Sequence, residues 1–464
     1  MKPTQPQAPL LELGEIWSAL REEQLRAAQV MIVGDDVPSA EGLAMALRGR
    51  GLTANAVAGV RSAWSAVAAR APDLRLIAFS GAGDPRGALL ATTGRAFDHP
   101  AMAIVTGSAA AAAAVAVGAD DVIARASGPE RLALRVQARL RQAVTVRLME
   151  RIAGELRAEA GAAVGAAVLG TLESSLDEYR TWLAARGARL MLAWGDTALQ
   201  SRTLDALGAL RVPVLTADNV DEIAEILMVA GVDVALVHAG LAGGVVEAVA
   251  AIRGADPLVQ VAVLETSGDS EQTDEALRRG AVTALPMPEL PAPAICAVAR
   301  RLLDARAHLI LHEKVVLELC RRAPEALARW RASRVALGPG PDMAAEVDRL
   351  TNRRQDARVP MELEVLVLAR EPGATVRRGT TINLSLGGSF IACAEVLRAG
   401  TAVECKVLIG AETVYLEGVV VRQGEGSSVE GQLVSGFGVR FDRIEPATLQ
   451  RLSRIVRQGA TRRS

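Results

Sequence analysis

The sequence predicts a multidomain chain: two doubly wound α/β domains joined by long helices, then a small six-stranded antiparallel β-barrel with a terminal helix. Three observations carry this. Short apolar strands alternate with helical stretches in one order, and that order occurs twice, about 160 residues apart. A Gly338-Pro339-Gly340-Pro341-Asp342 run then breaks a helical stretch. Beyond Thr351 the pattern changes to period two, with Leu363, Val365 and Val367 alternating with Glu362 and Glu364.

The first copy opens with Val30-Met31-Ile32-Val33 and Gly34-Asp35-Asp36. A helical stretch follows, then a strand at Leu74–Phe79, a strand at Ala101–Val105 ending in Thr106-Gly107, an Ala-rich helix, and Gly118-Ala119-Asp120-Asp121-Val122-Ile123. A helix opens at Pro129-Glu130 and continues past Gln142. The second copy runs through Leu190–Asp196, Val214–Thr216, Val234–Val237, Val261–Thr266 and Gly280–Pro288. Val144–Arg186 and Arg300–Leu337 read as amphipathic helix, suited to dimerisation or to packing domains together. The barrel strands are expected at Leu363–Val367, Thr380–Leu384, Ser389–Ala392, Ala402–Leu408, Val414–Arg422 and Leu433–Phe441, with a helix over Pro446–Gln458. The expected boundaries are an N-terminal segment 1–28, α/β domains 29–143 and 188–307, helical linkers 144–187 and 308–350, the barrel 351–458 and a basic tail 459–464.

Composition narrows the function. In 464 residues, half are hydrophobic and 23% are charged, which excludes a wholly disordered chain. With 52 basic and 53 acidic residues the net charge is −1, so bulk attraction to nucleic acid or to an acidic membrane is not expected. The basic residues are almost all Arg; Lys occurs only as Lys2, Lys314 and Lys406. The part from Thr351 onward is mildly basic, about +4. Four cysteines, Cys296, Cys320, Cys393 and Cys405, form no C-x-x-C and are too sparse for a disulfide framework. The N-terminus lacks the basic and apolar regions of a signal peptide. The uncharged run Ala101–Ala119 contains Thr106-Gly107-Ser108 and is mostly Ala, so it reads as strand, turn and buried helix rather than as a membrane span. The expected compartment is the cytoplasm, with no membrane insertion.

The two α/β copies resemble response-regulator receiver domains, over roughly 29–142 and 189–307. The resemblance implies a phosphoryl-accepting Asp at the end of the third strand, an acidic pair for Mg²⁺, a Thr or Ser, and a Lys. Aligned on that pattern, the first copy has Ala78 at the acceptor position, keeps Asp35, Asp36 and Thr106, and has Arg125 for the Lys. The second has His238 at the acceptor position, Asp196 for the acidic pair, Thr266, and Met287 for the Lys. Alanine cannot be phosphorylated, so both copies are expected to be pseudo-receivers serving dimerisation or partner docking. Asp35 and Asp36 read as a solvated strand-end pair, and no metal site is expected. The alternative is a phosphorelay regulator in which His238 or an off-position Asp accepts the phosphoryl group.

The C-terminal region carries the sharper signal. Arg353, Arg354 and Arg358 form R-R-x-x-x-R ahead of the first barrel strand, and Asn383, Ser385 and Gly388 form N-x-S-x-x-G at a strand-to-turn junction. The R-x-x-x-R spacing alone says little, because Arg131, Arg135 and Arg139 repeat it on a helix. The order of the two motifs around a six-strand pattern is similar to the PilZ domain, a receptor for cyclic di-GMP. The one departure is Asn383 where Asp is commoner. The resemblance implies cyclic di-GMP as ligand, held by Arg353, Arg354, Arg358, Asn383, Ser385, Gly387 and Gly388, with no cofactor and no catalysis. An Arg fork matches the O6 and N7 acceptors of guanine, Asn383 suits a guanine edge, Ser385 a phosphate, and the glycines allow close backbone approach. A second alternative is a scaffold whose barrel has lost its ligand.

No Walker A, G-x-S-x-G or nucleotide-making or -degrading signature is present. His308 and His312 are followed by Glu313, giving H-x-x-x-H-E rather than H-E-x-x-H, and read as helix-surface or interface histidines. Cys393 and Cys405 read as buried hydrophobes.

Overall fold

A computed structural model describes residues 14–34, 37–69, 71–90, 99–125, 127–162, 164–166, 168, 189–194, 197–210, 212–265, 270–286, 292–334, 358–370, 375–409, 412–427, 432–442, 444 and 446–461. Of the sequence-expected positions, Asp35, Asp36, Asp196, Thr266, Met287, Arg353 and Arg354 lie outside them.

After helix α1 (Gly14–Ala27), strands β1 (Gln29–Gly34), β2 (Thr53–Ala58), β3 (Leu74–Ala78), β4 (Ala101–Val105) and β5 (Asp121–Ala124) form a parallel sheet in the order β2-β1-β3-β4-β5. Its helices are α2 (Val37–Arg48), α3 (Gly59–Ala69), α4 (Gly87–Leu90), α5 (Ser108–Val117) and α6 (Pro129–Ala160). Strands β1 and β3 bury nearly every residue, as a parallel strand covered on both faces must. The uncharged run Ala101–Ala119 is β4, a turn and α5. Strand β2 is absent from the sequence reading. It lies at the sheet edge and buries only Ala54, so its residues show no apolar run.

The second sheet repeats the topology. Strands β6 (Leu190–Ala193), β7 (Val214–Ala217), β8 (Val234–His238), β9 (Gln260–Glu265) and β10 (Thr283–Pro286) lie in the order β10-β9-β8-β6-β7. Its helices are α7 (Thr197–Gly208), α8 (Val220–Val229), α9 (Val245–Ala255), α10 (Ser270–Arg278) and α11 (Ala292–Arg322), and α12 (Pro324–Arg334) follows. The positions 143 and 307, where composition suggests domains ending and linkers beginning, both fall inside continuous helices, α6 and α11. Each linker helix is thus, at its start, an extension of the last helix of the α/β unit before it. The apolar faces of these helices pack within the chain: Val146, Met149, Ile152 and Leu156 of α6 meet Leu309, Val316 and Leu319 of α11 and Leu327 and Trp330 of α12. Among the described residues no helix is long and apolar enough to cross a membrane.

The C-terminal strands are β11 (Val359–Pro360), β12 (Glu364–Ala369), β13 (Val376–Ser385), β14 (Gly388–Ala392), β15 (Ala402–Ile409), β16 (Glu412–Ser427) and β17 (Leu433–Phe441). Six of them run β13-β12-β15-β16-β17-β14, and β14 pairs back onto β13, which closes an antiparallel barrel; the two-residue β11 adds to β13. Val365, Val367, Val403, Cys405, Val407, Leu416, Phe437 and Val439 fill its core. Helix α13 (Pro446–Thr461) buries Leu449, Leu452 and Val456, one face at helical spacing. It packs against β11 and β16, and also against β7 and α8, which belong to the same compact unit as the barrel.

Candidate functional site

The corner between β13 and β14 is a two-residue turn, Leu386-Gly387, flanked by the pair Ser385 and Gly388. Side chains lock it from within. The buried Ser385 hydroxyl donates to the Gly388 carbonyl at 2.9 Å, and the Ser389 hydroxyl donates to the Asn383 carbonyl at 2.7 Å. Asn383 Oδ1 accepts the Phe390 N–H at 3.2 Å, which leaves its amide NH₂ group, with two donors, on a half-exposed side chain. Ser385 has one proton, and the turn already engages it. A Cβ on Gly388 would collide with the Val439 carbonyl of β17, so glycine is required here for barrel closure as well as for any close approach to a ligand.

Of the arginine motif, Arg358 is described, and it lies beside this corner. Strand β11 pairs antiparallel with β13, Val359 opposite Leu384 and Pro360 opposite Asn383. Continuing that register by one residue sets Arg358 in line with Ser385. Arg358 is half-exposed.

Two arginines that sequence reasoning did not single out share the neighbourhood. Asn383 stands opposite Phe390, Phe390 opposite Gly438, and Gly438 opposite Arg422, while Gly388 stands opposite Arg440. Directly opposite residues of antiparallel strands project to one face, so Asn383, Arg422 and Arg440 share one. Arg422 lies over the Phe390 ring, 5.3 Å from its centroid, crossing the position of Gly438, where a Cβ would press on its side chain at 3.0 Å. Arg440 is exposed between buried Val439 and Phe441. That alternation was visible in the sequence; the partner opposite Arg440 was not.

The corresponding strand ends of the α/β sheets look different. Ala78 is the last residue of β3 and is buried. His238 is the last residue of β8; its ring stacks on Trp194 with centroids 4.5 Å apart and planes 10° apart. Its Nδ1 accepts the Gly240 N–H at 3.1 Å, so in the neutral ring the proton is on Nε2. Thr106 and Arg125 are exposed. A buried polar network lies further along the same sheets: Arg135 donates to Asp121 at 2.7 Å and to the Ala284 carbonyl of β10, Arg139 approaches Asp121 at 3.4 Å, and Gln142 donates to Gln260 at 2.6 Å. Burial is the larger influence on Arg135 and lowers its pKa. In the barrel, burial pushes the Cys405 thiol up to about 12, which keeps it protonated and unfit as nucleophile or metal ligand.

Comparison with known proteins agrees with the barrel. The family profile for the PilZ domain matches residues 352–458. Among curated proteins none matches the chain. Solved structures similar to parts of it include the receiver domain of NtrX from Brucella abortus, at 21% identity over 25% of this chain and 98% of that one, with a TM-score of 0.23. They include the PilZ domain of YcgR from Escherichia coli, solved with c-di-GMP, at 18% identity over 24% and 95%, with a TM-score of 0.21. A response regulator receiver domain protein from Clostridium thermocellum gives 18% identity over 25% and 95%, with a TM-score of 0.22. Barrel closure, the Asn-Ser-Gly corner and the profile match converge on one statement: residues 352–458 of this chain are a PilZ domain.

Proposed function

We propose that the protein is a cytoplasmic signalling effector that binds cyclic di-GMP at the barrel corner and acts by binding, without catalysis. The reading is carried by the β11–β13 register, which sets Arg358 beside the strand bearing Asn383 and Ser385. Cyclic di-GMP has two phosphates and two guanines. Arg354 and Arg358 fork onto guanine O6 and N7 or onto phosphate, Arg353 stacks on a base or meets a second nucleotide, and the Asn383 amide donates to a guanine edge. Ser385, Gly387 and Gly388 hold the turn in shape, with Ser385 turned toward a phosphate only if it leaves Gly388. Arg422 and Arg440 extend the cationic face.

Helix α13 packs on β11 and on α8. When the segment 352–358 closes on the nucleotide it pulls on β11, and α13 is the element able to carry that change to α8 and β7. The α/β pair then serves as the surface on which a protein partner docks. Its helix faces already pack within the chain, which favours docking over homodimerisation through those faces.

Titration calorimetry of the full chain with cyclic di-GMP tests this. The wild type binds, and Arg354→Ala or Arg358→Ala each weakens binding by about ten-fold or more, the worth of one charge-assisted contact. Absence of heat with folded wild-type protein rejects the proposal.

A further inference from the structure

The chain has four histidines, and two of them, His308 and His312, stand one turn apart on α11. Their Nε2 atoms are 2.8 Å apart and their rings meet edge to face, centroids 4.2 Å apart. Helix α6 packs along α11 and brings Glu150 to the pair, so that one ligand atom from each of the three residues lies within 4.8 Å of the others. Spacing on one helix supplies two donors; only the packing of α6 on α11 supplies the third, from a residue 158 positions earlier in the chain.

We propose that Glu150, His308 and His312 bind a divalent transition metal, zinc above all, and that the ion clamps α6 to α11. Two imidazoles four residues apart on a helix face one way and make a two-point ligand. A tetrahedral zinc site with Zn–N bonds of about 2.0–2.1 Å holds its nitrogens about 3.4 Å apart. The rings need to part by only about half an ångström from their present contact, well within a small χ adjustment. At present one Nε2 donates a proton to the other. The metal takes the place of that proton, which passes by way of solvent to the same ring's Nδ1, so that each neutral ring offers its Nε2 lone pair. Glu150 adds a carboxylate oxygen and negative charge, and water completes the set. Two nitrogens and one oxygen suit zinc, cobalt or nickel rather than magnesium or calcium, which take oxygen ligands. All three ligands are partly exposed, so an ion can enter.

The consequence is mechanical. Helices α6 and α11 are the last helices of the two α/β sheets, and the apolar cluster from Val146 to Trp330 lies around the site. A metal here fastens the two sheets' helices together.

The test uses the tag-free full chain, stripped with chelator. Titration with Co²⁺ gives a visible d–d band saturating at one ion per chain, and Zn²⁺ raises the melting midpoint. His308→Gln and His312→Gln each lose the band and the thermal shift. Glu150→Gln weakens binding about ten-fold; unchanged affinity there overturns the clamp. No band in the wild type, or a band that survives in both histidine variants, overturns the site. Cys296→Ser keeps the band, and its loss assigns the ion to the half-buried thiol instead. Should a histidine variant fail to fold by circular dichroism, the Glu150→Gln result decides.

Discussion

The strand ends of the α/β sheets and the corner of the barrel are both places where a β-strand gives way to a turn, yet they differ in what stands at the position that matters most. At β3 the terminal residue is Ala78, with nothing to offer. At β8 it is His238, whose ring is stacked on Trp194 and whose Nδ1 is engaged by backbone. Further along the sheet, at the start of β5, Asp121 is turned inward between Arg135 and Arg139, while Thr106 and Arg125 at the strand ends are exposed. At the barrel corner, the side-chain bonds inside the turn leave the Asn383 amide and the Arg422 and Arg440 guanidinia on one outward face. In the α/β pair, Asp121, Arg135 and Arg139 are taken up by packing. The barrel corner is locked from below and keeps its polar groups above.

The sharpest way to break this contrast is Asp121→Ala. Its carboxylate is fully buried between two arginines, and removing one member of such a network costs about 3–5 kcal/mol. Denaturant unfolding should report that loss, while the variant, still folded in water, titrates with cyclic di-GMP as the wild type does. A loss of less than about 1 kcal/mol would mean the inward network is not what holds the α/β pair.

The neighbouring Asp120 gives a smaller, pH-dependent effect. Burial pushes its carboxyl up to about 6, against the pull of the Ala101 N–H, Arg139, Arg301 and Arg75. The unfolded carboxyl gives up its proton near 3.9. Between those values the native state binds more protons, so this group's contribution is complete below about 4 and is lost as pH rises through about 6. Asp120→Asn lacks that loss. Its stability relative to wild type should therefore rise by on the order of 2–3 kcal/mol between pH 4 and pH 7. Thermal melts across that range check it, and a flat difference contradicts the assignment.

Much of this was legible in residue order. Apolar runs marked the buried strands β1, β3, β8 and β9, and alternation marked the barrel strands, because burial on two faces or one writes itself into period. Strand β2 was not legible: an edge strand with one buried residue needs no apolar signature. Helix was legible on both sides of positions 143 and 307, but not where a domain would end within it, because helix composition does not change where a helix leaves its sheet. At the candidate site, the motifs named Asn383, Ser385 and Gly388, whereas Arg422 and Arg440 join them only through cross-strand register. Glu150 and the histidine pair are likewise neighbours through helix packing alone.

Ser385→Ala gives the smallest effect and divides the two roles open to that residue. Its hydroxyl donates to the Gly388 carbonyl, and one such bond is worth about 1 kcal/mol. If Ser385 is a positioning residue, the variant loses about that much barrel stability and its cyclic di-GMP affinity changes by no more than a few-fold. If the hydroxyl swings out to a phosphate, affinity falls by about ten-fold while stability of the nucleotide-free chain still drops by the same small amount. Unfolding curves and calorimetry on one preparation separate the cases, because the turn bond is present without ligand and the phosphate contact exists only with it. The geometry favours the first outcome: a buried side chain with its single proton already placed would have to break a 2.9 Å bond, inside a turn that barrel closure holds tight, to reach any ligand.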